Sequence, residues 1–182
     1  DAHTSWCQYR NAEPAIRFAE ILLIYAEALN ELEEGANYDV PSWDSSTTYS
    51  IKRDIDEMKK GIRPIRRRAG VPDYDLETVY KSQDEFRKKM KKERQIELMA
   101  EGQRYFDLRR WKDAEVEESK KNYGCNFYMS DSKDQKEQFY TPIEITDLPT
   151  AFSRKLYFWP ISHEELKRNK RLTQNPGWTY ND

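Results

Sequence analysis

From Ala15 to Glu34 the chain reads AIRFAEILLIYAEALNELEE, between a Glu13-Pro14 start signal and Gly35 as a C-terminal stop. Apolar residues at Ile16, Phe18, Ala19, Ile21, Leu22, Leu23, Tyr25, Ala26, Ala28, Leu29 and Leu32 cover most of a helical circumference. A helix of that kind must be buried on nearly all sides, so the chain needs other helices to pack around it. One stripe breaks the apolar surface. Arg17, Glu20, Ile24, Glu27 and Glu31 recur at spacings of three and four and share a face.

Composition agrees with a folded domain. Charged residues make up 35% of the 182-residue chain, which alone would suggest disorder, yet aromatic residues reach 13%. Disordered chains are poor in aromatics, so the combination describes a core under a very polar surface. The length fits one domain, residues 1–182. A formal net charge of -2 provides no long-range field for a polyanion, which disfavours bulk nucleic-acid binding. The longest apolar stretch, Ile21 to Leu29, contains Glu27 and is too short to span a bilayer. The N-terminal DAHTSWCQYR has neither the basic nor the apolar region of a signal peptide. Cys7 and Cys125 are compatible with a disulfide or with two thiols.

Residues Tyr38 to Ser50 are rich in turn formers and read as a surface loop carrying Tyr38, Trp43 and Tyr49. A second helix is expected over Ile51 to Lys60, broken by Gly61 and Pro64 and followed by the basic turn IRPIRRRAG. Ser82 or Asp84 can cap a third, long helix running to about Lys112, with Gly102 inside it at a cost of about 1 kcal/mol that a close helix–helix contact would offset. Phe86, Met90, Ile96, Met99 and Phe106 mark its apolar face, and Trp111 and Trp159 are expected in the core. Tyr123 to Ile145 can form a hairpin around the polar turn Ser130 to Lys136. Ser162 opens a capping box with Glu165, and Asn175-Pro176-Gly177 is a turn that pins the C-terminus beside Trp178.

Chemistry-bearing constellations are missing from this pattern. His3 and His163 do not form a metal-ligand pair such as HExxH, and no Gly-rich phosphate loop, GxSxG elbow or CxxC pair occurs. Catalysis and a cofactor are therefore not expected. Arg63, Arg66, Arg67 and Arg68 form a local basic cluster, read as a solvated or ion-paired face. On the third helix Arg94, Glu97, Glu101 and Arg104 line up at spacings of three and four. With Arg17, Glu20 and Glu27 of the first helix they are expected to form arginine–carboxylate pairs that fix helix register.

Four segments together resemble the C-terminal region of the SusD/RagB family: IRFAEILLIYAEALNEL at 16–32, IRRRAGVP at 65–72, KKERQIELMAEGQRYFDLRRW at 91–111 and LYFWPISHEELKRNKRLTQNPGW at 156–178. Pro64 departs from the pattern, standing where the preceding helix would run on. The resemblance implies a mainly α fold of tetratricopeptide-like paired helices with loop-rich insertions and a small β-hairpin. It further implies a non-enzymatic outer-membrane lipoprotein, anchored by a lipid outside this chain. Such a protein captures glycans or related nutrients and delivers them to a SusC-like TonB-dependent transporter. Sugar rings present C–H faces that stack on aromatic side chains, so the loop aromatics Trp43, Tyr38, Tyr49, Trp6 and Tyr9 are the expected ligand contacts. The competing reading is a helical-repeat scaffold for a protein partner, without a small ligand.

Overall fold

The computed structural model describes residues 15–125, 139–146 and 151–179. Trp6, Cys7, Tyr9 and the expected turn at 130–136 lie outside them. The chain divides into two compact units, residues 1–104 and 105–182.

The first unit is built on three helices: α1 (Phe18–Asn30), α2 (Ile55–Arg68) and α3 (Gln83–Glu97), with the hairpin β1 (Tyr38–Pro41) and β2 (Thr48–Ile51) between α1 and α2. Asp54 caps α2, its carboxylate accepting from the N–H groups of Asp56 at 2.9 Å and Glu57 at 3.1 Å. Met58, Ile62 and Ile65 then bury one face at the spacing of a helix, with Gly61 between them against α1. Ser82 caps α3, which buries Phe86, Met90, Glu93 and Arg94 along one stripe.

Between α2 and α3, residues Leu76–Tyr80 form a π-helical turn, closed by Tyr80 N–H to Asp75 O and Lys81 N–H to Leu76 O. The wide turn directs Tyr80 inward, where its ring lies 5.4 Å from that of Phe86. Leu23, Ala26, Met58, Ile62, Tyr80, Phe86 and Met90 are the centre of this core. Burying each of the larger side chains contributes about 1.5–3 kcal/mol.

The second unit holds α4 (Gln103–Arg110, entering from the first unit), α5 (Ala114–Glu117), the paired strands β3 (Asn122–Gly124) and β4 (Ile143–Ile145), a 3₁₀ turn (Arg154–Tyr157) and α6 (His163–Arg168). Ser162 caps α6 through Glu165 N–H. The C-terminal turn is fastened by side chains: Asn175 Nδ2 donates to Trp159 O at 2.6 Å, and Trp178 Nε1 donates to Lys155 O at 3.0 Å and Phe158 O at 2.9 Å.

Five expectations need correction. The first helix is shorter than the apolar run, and its burial is one-sided: Phe18 is 75% exposed, and Ile21, Ile24 and Tyr25 are exposed beside it. Residues 38–51 form a two-stranded hairpin, not a loop.

The second helix does not stop at Lys60 but runs through Pro64 to Arg68. Proline interrupts the backbone ladder at one step, a cost of about 3 kcal/mol in a helix interior. Here Ile62 and Ile65 anchor both sides of that step in the core.

The long third helix is two helices. Residues 98–102 form a break in which Ala100 has φ 66° and Gly102 φ 77°. A Cβ at Gly102 would meet nothing within 4 Å, so its role is backbone freedom and not close packing. The break turns Met99 to solvent at 76% exposure and leaves Ile96 and Phe106 exposed, while Leu98 stays buried. Trp159, expected inside, is also exposed.

Candidate functional site

The β1–β2 hairpin brings three of the expected ligand contacts together. Its register pairs Tyr38 with Ile51, Asp39 with Ser50, Val40 with Tyr49 and Pro41 with Thr48. Directly opposed residues of an antiparallel pair point to the same face, and alternate residues to opposite faces. Tyr38, Val40, Tyr49 and Ile51 therefore form one apolar, aromatic face, and Asp39, Pro41, Thr48 and Ser50 the polar one. The aromatic face is open to solvent, with Tyr49 57% exposed.

At the tip, residues 42–47 are locked by their own short polar side chains. Ser42 N–H donates to Thr47 O at 2.7 Å, and Thr47 N–H returns to Ser42 Oγ at 3.0 Å. Asp44 Oδ1 accepts from Ser42 Oγ at 2.6 Å, Ser46 Oγ at 2.8 Å and Ser46 N–H at 3.1 Å. Ser45, at φ 58°, supplies the left-handed residue that closes the turn. Trp43 protrudes from this turn and is 97% exposed. A large apolar ring held out on an ordered turn loses little freedom on meeting a ligand, which is the condition for a useful stacking contact.

The donors around Asp44, first the Ser42 hydroxyl and then Ser46, hold its carboxyl down at about 2. A depressed carboxylate supports the turn fully above its ordinary range near pH 4 and loses that support only as the pH falls through about 2. We therefore expect the Ser46 amide resonance to titrate with a midpoint near pH 2. A midpoint near 4 would show that the turn does not hold the carboxylate.

The expected ion-pair residues lie at the N-cap of α1 and on that helix, on α3, in the break that follows and, for Arg104, in the first turn of α4. Arg17, at the N-cap of α1, reaches Glu101 in fork geometry, with Nε to Oε2 at 2.9 Å and Nη2 to Oε1 at 2.7 Å. It also donates to Glu97 O at 2.8 Å and pairs with the Glu97 carboxylate at 3.1 Å. The Arg17 hydrogen bond holds the Glu101 carboxyl below its ordinary range.

Glu20 accepts from Gln103 Nε2 at 3.5 Å. Glu27 and Arg94 are both buried, and they and Arg104 all take part in polar contacts.

A further buried network was not anticipated from sequence. Glu93 accepts from Arg66 at 2.6 Å and from the Tyr74 hydroxyl at 2.6 Å, and the Arg66 guanidinium lies 4.1 Å from the Tyr74 ring centre. Arg63 and the Tyr80 hydroxyl each donate to Asp73 at 2.8 Å. Partial burial pushes the Asp73 carboxyl up, but these donors outweigh it and the group sits below its ordinary range. This network clamps α2 to α3. Among the described residues no group of three or more His, Cys, Asp and Glu side chains could hold a metal ion, and Cys125 is an exposed free cysteine.

A model of the SusD family matches residues 2–178. The chain belongs to the SusD family. Its relatives in that family include SusD-like protein P2 of Formosa agariphila, 26% identical over 168 residues, which are 90% of this chain and 25% of that protein. Among solved structures, a SusD-like protein from Bacteroides fragilis superposes with a TM-score of 0.59 at 24% identity, over 90% of this chain and 25% of that one. A second solved structure gives a TM-score of 0.63 at 24% identity, over 90% of this chain and 24% of its own. The chain thus spans about a quarter of the length of the relatives it matches, and its mainly helical fold is that of SusD-like proteins.

Proposed function

We propose that the protein captures a glycan or related nutrient at the bacterial cell surface and hands it, chemically unaltered, to a SusC-like TonB-dependent outer-membrane transporter. The observation that carries this reading is the match to the SusD family over residues 2–178. Attachment to the membrane belongs, in this reading, to a lipid anchor outside these residues. No helix among the described residues is long and apolar enough to cross a bilayer.

Within the chain, the hairpin is the surface best suited to a sugar. Trp43 offers an accessible ring at the tip, and Tyr38 and Tyr49 add aromatic area with hydroxyls at the rim. A pyranose stacks its C–H face on such rings while its hydroxyls stay hydrated or bond to polar neighbours.

The test is calorimetric titration of the protein with a panel of soluble oligosaccharides. The reading expects at least one to bind, with Trp43→Ala weakening it about tenfold, equivalent to about 1.4 kcal/mol. Binding unchanged by Trp43→Ala would remove the hairpin from the site. Silence across the whole panel would remove glycans as the ligand class.

A further inference from the structure

Along the outward side of α2 runs an open groove of about 640 Å³, a volume within the roughly 300–1,000 Å³ range of small-molecule sites. Its walls include five cations, Lys59, Lys60, Arg63, Arg67 and Arg68, against one acid, Asp56. Pro64, which interrupts the backbone ladder of the helix, adds an apolar surface between them.

Much of this positive charge remains available. Among the described residues the Arg67 side chain makes no hydrogen bond or ion pair. Arg63 commits only Nε, to Asp73, and Arg68 only one terminal nitrogen, to Glu97. The remaining guanidinium donors face solvent on side chains that are more than half exposed for Arg63 and Arg68. Arg63 and Arg67 stand four residues apart, so two like charges adjoin on one helix face, an arrangement that is unfavourable by a few tenths of a kcal/mol in isolation.

The negative C-terminal end of α2 accounts for cations in its last turn. It does not account for Lys59, Lys60 and Arg63, which lie further back. Arg66, also in the last turn, is directed away into the Glu93–Tyr74 network. The exposed pairs with Lys59 and Lys60 are individually weak and can be exchanged for a ligand anion at small cost.

We infer that this groove binds the anionic groups, carboxylate or sulfate, of an acidic saccharide, so that the captured nutrient is a charged glycan. The inference rests on the glycan-capture reading above and narrows it. Guanidinium forks at Arg63 and Arg67 match the planar carboxylate and the oxygens of a sulfate ester, and Pro64 with the cations' methylene stems offers a sugar ring an apolar floor. The overall net charge of -2 argues against a general polyanion site.

The experiment measures binding of the protein to three oligosaccharides of equal length: a galacturonate oligomer, a sulfated galactan oligomer and a neutral galactan oligomer. At least one charged oligomer is expected to bind ten or more times tighter than the neutral one, and which one does so separates carboxylate from sulfate recognition. Added salt should erode that margin. Arg67→Gln, at a side chain that holds no partner, should weaken the charged oligomer about fivefold with neutral binding and melting temperature held, and Arg63→Gln/Arg67→Gln should weaken it further with neutral binding held.

Equal affinity for neutral and charged oligomers would overturn the inference while leaving glycan capture standing. Absence of binding to any of the three, with binding to another neutral glycan of the wider panel, would do the same. Failure with every glycan would bring down both. Charged binding insensitive to Arg67→Gln and to the double change would also overturn it, as would equal affinity for duplex DNA or anionic vesicles.

Discussion

Replacing Gly61 by alanine should destabilise the protein by about 2 kcal/mol, lowering its melting temperature by roughly 4–8 °C. The sign is what makes the test sharp. In an exposed helix interior the same change stabilises by about 1 kcal/mol, because alanine loses less backbone freedom on folding. At Gly61 the added Cβ would lie 2.5 Å from Leu22 O and 2.8 Å from the Ala26 Cβ, with the Ala26 backbone nitrogen at 3.3 Å. Two of those three atoms belong to the backbone of α1 and cannot swing aside, so α1 and α2 must separate. Separation loosens contacts around Leu23, Ala26, Met58 and Ile62, all fully buried. Thermal unfolding of Gly61→Ala decides the matter, and a melting temperature at or above the wild type would mean that the helices do not approach so closely.

Glu93→Ala should cost about 3 kcal/mol, and Glu93→Gln clearly less. Glu93 is buried and serves two donors, Arg66 and the Tyr74 hydroxyl. Its removal strands a guanidinium that is only 17% exposed, together with a half-buried hydroxyl. Arg66 retains its bond to Pro72 O and its position over the Tyr74 ring, which limits the damage. Glutamine keeps an acceptor for the hydroxyl and gives up the charge. The order expected in denaturant midpoints is wild type, Gln, Ala. An alanine variant within 0.5 kcal/mol of wild type would show that the network does not join α2 to α3.

Where sequence and structure part company, the cause is tertiary. Tyr38 to Ser50 contains the alternation Tyr-Asp-Val-Pro and Thr-Tyr-Ser-Ile on either side of the turn cluster, a strand signal that the density of Ser, Thr and Asp obscured. Helical spacing carried no notice of the break at 98–102, because Ile96, Met99 and Phe106 keep the period while the backbone leaves it. Gly102 was the visible clue, and its meaning depended on whether it lay inside a helix or ended one. Pro64 reads locally as a stop, and the helix continues because Ile62 and Ile65 are held on the same buried face.

By itself the sequence determined the helical class, the caps at Ser82 and Ser162, the apolar positions Phe86 and Met90 that α3 buries and the family, since all of these depend on residues close together in the chain or on their order along it. It also named Trp43, Tyr38 and Tyr49 as accessible aromatics. Only the tertiary structure set Tyr38 and Tyr49 on one face, aligned the free guanidinium donors of Arg63 and Arg67 beside a groove, and turned Arg66 toward Glu93 and Tyr74. Those placements follow from which helix faces are claimed by burial and which are left to water, a competition among segments distant in sequence.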